Sequence, residues 1–85
     1  MNELHMIKKR LIRHLRRYTH DSHFIRGVFH ALGNEDNWQR MVDYLEYAQM
    51  ISEKLDLKRI MARAVIFGLR RAPSAVKTVR RELKI

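Results

Sequence analysis

The sequence predicts an all-α protein, a single compact domain of about five helices in an orthogonal or bundle-like arrangement. Apolar residues recur every three or four positions along nearly the whole chain, the spacing that gives a helix one buried face. No stretch alternates with the period of two that a strand requires. Short polar, glycine or proline breaks divide the pattern into segments. With 85 residues and no cysteine, the chain is long enough for one domain and one modest core, unsupported by disulfides or a thiolate-bound metal.

The first helix is predicted over 3–18, where Leu4, Ile7, Leu11, Leu15 and Tyr18 form the apolar stripe. Asn2 is its expected cap, and Glu3 suits the positive end of the helix dipole. The polar break Thr19-His20-Asp21-Ser22 opens a second helix over 22–32, carrying Phe24, Ile25, Val28, Phe29 and Leu32 and closed by Gly33-Asn34. Gly27 weakens that helix interior by about 1 kcal/mol relative to alanine, which suggests a close helix crossing. A third helix over 36–54 follows, capped by Asn34 or Asp36. Trp38, Met41, Leu45, Ala48, Ser52 and Leu55 run through it, and Val42, Tyr44, Tyr47 and Ile51 widen its apolar arc, as a central helix requires.

Leu55-Asp56-Leu57 reads as a tight connection in which Asp56 caps a fourth helix over 57–71, with Ile60, Met61, Ala64, Val65, Phe67 and Gly68 at helical spacing. Pro73 stops that helix, because the residue before proline avoids helical angles. A fifth helix over 74–84 turns Val76, Val79 and Leu83 inward. The expected core is Phe24, Phe29, Trp38, Leu45, Ile51, Leu55, Val65 and Phe67.

Charge carries the functional expectation. Eighteen Lys and Arg against nine Asp and Glu leave a net +9. The excess is segregated: residues 1–20 carry +5, residues 34–56 carry −4 and residues 57–85 carry +8. A basic small domain points first to nucleic acid, then to anionic membranes or acidic proteins. Lys77, Arg80, Arg81 and Lys84 make one stripe on the fifth helix, and Lys9, Arg13, Arg16 and Arg17 cluster on the first. Like charges at these spacings repel by a few tenths of a kcal/mol per pair, and a phosphate backbone would relieve that repulsion. The plainer reading of the fifth helix is a solvated surface whose cations oppose the dipole. The expected nucleic-acid contacts are Arg13, Arg17, Lys58, Arg59, Arg63, Lys77, Arg80, Arg81 and Lys84, touching the backbone of DNA or RNA without sequence preference.

The stretch AQMISEKLDLKRIMARAVIF, residues 48–67, resembles the helix-turn-helix pattern of DNA-reading proteins. The resemblance implies buried apolar groups at Ile51, Leu55, Leu57, Ala62 and Val65, a close contact at Ser52, and Lys58, Arg59 and Arg63 facing DNA. Two positions depart from it. Asp56 stands where the turn usually has glycine, and Ile60 would lie on the DNA-facing surface.

The alternative is a non-enzymatic protein-interaction module: an adaptor, inhibitor or assembly subunit docking on an acidic partner, or a homodimer. Its contact residues would be Asp43, Tyr44, Tyr47 and Met50, since aromatics and methionine are enriched at such surfaces, or the cationic stripe would meet the acidic protein. His20 and His23 are three apart, but no third metal ligand is evident near them; histidines here read as polar surface that gains charge in acid. No phosphate loop, nucleophile motif or catalytic carboxylate pair is recognisable, so neither enzymatic activity nor a cofactor or metal is expected. The longest purely apolar run, Ala64–Phe67, falls short of a membrane span. Without a recognisable signal sequence, the expected location is cytoplasmic.

Overall fold

Three short polar side chains decide where helices begin. Asp21 accepts hydrogen bonds from the His23 and Phe24 amides at 2.9 and 3.4 Å. Asn34 accepts from the Asn37 amide at 3.0 Å, and Asp56 from the Arg59 amide at 2.8 Å. Each oxygen satisfies a donor that the first helical turn leaves without a partner. The structure, a computed structural model, describes residues 3–70, 77–78 and 80–82, with side chains from residue 5. In it, α1 (Glu3–Leu15) precedes the three capped helices, α2 (Ser22–Leu32), α3 (Glu35–Met50) and α4 (Leu57–Gly68). Residues 77, 78 and 80–82 are also helical, and no strand occurs among the described residues. The fold is all-α, in agreement with the periodicity.

Helix ends differ from the expectation where backbone turns override side-chain spacing. The first helix, expected to residue 18, closes at Leu15. Its last turn tightens through bonds from the Arg17 amide to the His14 carbonyl and from the Tyr18 amide to the Leu15 carbonyl. The third, expected to residue 54, ends at Met50. Ser52 takes a left-handed conformation with φ 56°. Its amide donates to the Gln49 carbonyl at 3.1 Å, and the Glu53 amide donates to the Ala48 carbonyl at 2.8 Å. This pair of bonds is the Schellman stop. The apolar spacing runs on to Leu55, but the chain has already turned, so the connection to α4 is a loop over 51–56 rather than a tight Leu55–Leu57 turn. The fourth helix stops at Gly68 instead of residue 71. The expectations at Asn2, residues 71–76, Val79, Leu83 and Lys84 lie outside the described residues.

α3 packs against α1, α4 and α2, and α2 packs against α4. Leu11 and Leu15, four apart on α1, are fully buried with Val28 and Leu32 of α2, Met41, Val42 and Leu45 of α3, and Ile60 and Ala64 of α4. Each large side chain buried in this way contributes about 1.5–3 kcal/mol. Of the expected core, Leu45 is at the centre. Phe24, Phe29, Trp38, Leu55 and Phe67 are half-buried around it, Val65 is half-buried on α4, and Ile51 is exposed at the end of α3. Aliphatic side chains fill the small centre and the rings shield its edge; Phe29 meets Trp38 edge-on with centroids 5.0 Å apart.

Glycine and one buried amide set the crossings. A Cβ on Gly27 would meet the tip of Met61 at 3.2 Å, and a Cβ on Gly68 would collide with the Ala31 carbonyl. Asn37, buried at the start of α3, donates from Nδ2 to the Leu32 carbonyl at 2.7 Å. That bond ties α3 to the last turn of α2.

Candidate functional site

One flank of α1 meets α3. Arg10 donates from Nη2 to both carboxylate oxygens of Glu46 at 3.1 Å, and His14 Nε2 lies 3.5 Å from the same carboxylate. Farther round the helix, away from buried Leu11 and Leu15, Lys9, Arg13 and Arg16 line a shallow groove with Ile12. Exposed Arg17 follows in the closing turn. Among the described residues, none of Lys9, Arg13, Arg16 and Arg17 has an acidic side chain within 4 Å. The acidic middle of the chain therefore neutralises one flank of α1 and leaves the other uncompensated.

A second cluster occupies the crossing of α3 and α4. The Arg63 guanidinium carbon lies 5.0 Å from the Tyr44 ring centroid and 5.9 Å from that of Phe67. The two rings meet edge-on at 6.2 Å. Such cation–π contacts hold a guanidinium in place without neutralising it. The Nε of Arg63 is buried and has no hydrogen-bond partner among the described residues. Tyr44 and Arg63, together with Tyr47, Glu53 and Arg59, line a cleft of about 310 Å³. Arg59 and Glu53 approach only to 3.5 Å across partly exposed side chains. Tyr47 in the cleft lining, and Met50 and Ile51 three and four residues farther along at the end of α3, are 56%, 72% and 48% exposed.

This cleft joins residues that the sequence assigns to two different partners. Arg59 and Arg63, expected at nucleic acid, share it with Tyr44 and Tyr47, expected at a protein. Asp43 is exposed on the same helix and accepts a hydrogen bond from Gln39 Nε2 at 2.9 Å. Lys58 is exposed near the start of α4 and takes no part in lining the cleft. Lys77, Arg80 and Arg81 are exposed in the C-terminal helical stretch; Lys84 lies outside the described residues.

Comparison with family models, curated proteins and solved structures finds no match. The helix-turn-helix resemblance is met only in part: Ala62 is buried and Leu55 and Val65 are half-buried as the pattern requires, but Ile51 and Leu57 are exposed where it buries them, and Ile60, which it would expose, is fully buried. The physical reason is the early stop at Met50 and the loop over 51–56, which set α4 in another rotational register. Arg63, expected to face DNA, is half-buried against Tyr44 and Phe67. Among the described residues there is no group of three metal-binding side chains, and no helix is long and apolar enough to cross a membrane.

Sequence reasoning missed the exposure of Ile51 and the Glu53–Arg59 approach, since both depend on the turn at Ser52. It did single out Lys9 and Arg16 as members of a cluster, but not as expected contacts. Their positions opposite Leu11 and Leu15 are the signal that marks the outer face.

Proposed function

We propose that the chain binds nucleic acid through its phosphate backbone, with the outer face of α1 as the contact surface. One observation carries the reading: Lys9 and Arg13 of α1 and Arg16 in its closing turn share a face with no acidic partner among the described residues, while Arg10 on the same helix is matched to Glu46. From Lys9 to Arg16 the helix advances about 10 Å. A duplex carries about six phosphate charges over that length, at one per 1.7 Å of axis. Arginine adds two-donor recognition of phosphate oxygens to simple attraction. Exposed Arg17, Lys58, Lys77, Arg80 and Arg81 enlarge the positive field that draws a polyanion in. Phosphate contacts orient a protein but do not read bases, so binding is expected to be indifferent to sequence.

The test is fluorescence anisotropy on labelled duplex DNA and hairpin RNA over a salt series. The wild-type chain should bind at about 50 mM salt and release as salt rises. A triple variant, Lys9→Glu, Arg13→Glu and Arg16→Glu, should lose binding with its helical circular dichroism intact, whereas Arg26→Glu, a single exposed change on α2, should lose far less. Undiminished affinity in the triple variant would remove α1 from the interface. A wild-type chain indifferent to both polymers at low salt would end the reading.

A further inference from the structure

We infer that the cleft between α3 and α4 is a second, separate docking site whose occupant is an acidic amphipathic peptide segment of a partner protein. The segment would place apolar side chains on Tyr47, Met50 and Ile51 and a carboxylate against Arg63 and Arg59. The inference does not depend on α1.

The apolar half follows from helix geometry. Tyr47, Met50 and Ile51 stand at i, i+3 and i+4, and all three are exposed. Short amphipathic segments dock on surfaces through anchors at such spacings. The polar half follows from the arginines. Arg63 is backed by two rings and faces a cleft in which the one acidic side chain among the described lining residues, Glu53, is paired with Arg59 instead. A guanidinium already immobilised loses little freedom when a carboxylate arrives. Tyrosine, arginine and methionine together are the residue types enriched at protein interfaces.

Charge selects the occupant. A second copy of the chain would bring another net +9, which opposes self-association. Nucleic acid fits this cleft poorly, because Glu53 lines it and Asp43 is exposed one helical turn before Tyr47. Closely spaced phosphates would meet both carboxylates, whereas a peptide can present one carboxylate to the arginines and apolar groups beyond them. Glu53 is itself the local competitor, a carboxylate of the chain's own loop resting near Arg59 at 3.5 Å.

The probe is a fluorescein-labelled helical peptide of leucine and glutamate with its leucines on one face, titrated into the full chain. Poly-glutamate of equal length and a single-stranded DNA oligomer serve as comparisons. The leucine–glutamate peptide should bind at least about tenfold tighter than poly-glutamate. Tyr47→Ser and Met50→Ser, which leave charge unchanged, should each weaken it about tenfold or more, the scale of an interface anchor. Arg63→Ala should weaken it more than Arg26→Ala, which removes the same charge outside the cleft. Glu53→Gln should tighten it, since the competing carboxylate is gone. Because removing Arg63 could disturb the α3–α4 crossing, the exposed Tyr47→Ser and Glu53→Gln variants keep the test decisive.

Equal affinity for poly-glutamate, or indifference to Tyr47→Ser, would overturn the proposal and leave unspecific attraction. DNA binding lost on Tyr47→Ser and Met50→Ser would give the cleft to nucleic acid instead. A doubled mass in sedimentation that Tyr47→Ser returns to monomer would show that a second copy covers Tyr47, Met50 and Ile51. A null result on α1 in the duplex experiment leaves these outcomes unchanged.

Discussion

Ser52 alone among the described non-glycine residues has a positive φ, at 56°. The left-handed region costs an L-residue roughly 1–2 kcal/mol, and the Schellman stop at the end of α3 requires it. Ser52→Gly should therefore stabilise the fold by about 0.5–1 kcal/mol, less than the full strain because glycine also enlarges the freedom of the unfolded chain. The measurement is the urea midpoint at unchanged slope. A lower midpoint would mean that the serine side chain supplies more than its backbone loses. Gly33 presents the opposite case. With φ 84° at the end of α2 and open space where a Cβ would go, Gly33→Ala should cost about 1 kcal/mol from backbone strain alone.

The crossing of α2 and α4 separates two glycines that look alike in the sequence. Gly27→Ala adds a methyl against the flexible tip of Met61 at 3.2 Å. A helix-propensity gain of about 0.8–1 kcal/mol is then set against a small rearrangement, so its thermal midpoint should stay near or above that of the wild type. Gly68→Ala drives a methyl into the Ala31 carbonyl, part of a backbone that cannot rotate aside. It should destabilise by about 1–3 kcal/mol or more, and matched midpoints for the two variants would show that the crossing is not close at Gly68. The same limit governs what was legible in the sequence. Leu11 and Leu15 could be assigned to the inner face of α1 because their spacing encodes it, and Asp56 to a helix start because its chemistry does. Arg10 and Arg13, by contrast, are identical residues three apart. Only the docking of one flank on α3 makes the first a partner of Glu46 and leaves the second uncompensated. The cleft was legible as residues but not as a place, since Arg63 meets Tyr44 only once the turn at Ser52 has fixed the register of α4.

For the molecule as a whole, a net +9 is set against few compensating contacts. Among the described residues the ion pairs of Lys and Arg are Arg10 with Glu46 and Arg59 with Glu53. Exposed pairs of this kind contribute at most about 1 kcal/mol each, while surplus like charge opposes the compact state. Stability and polyanion binding should therefore respond to salt in opposite senses. Raising ionic strength from about 0.01 to 0.1 M shortens the screening length from about 30 to 10 Å, and the thermal midpoint should rise as self-repulsion is screened. A falling midpoint would mean that the few ion pairs outweigh the surplus. Over the same range, affinity for duplex DNA should fall along a straight line in log–log coordinates, with a slope of about −0.9 for each phosphate neutralised. Replacing Lys9, Arg13 and Arg16 by glutamine removes three such contacts and should make that slope shallower by about 2.7. This change identifies contact, which a mere loss of affinity does not. A cation that acts only by adding to the general field lowers affinity without releasing a full counterion's worth of slope, so an unchanged slope in the triple glutamine variant would place the phosphates elsewhere on the molecule.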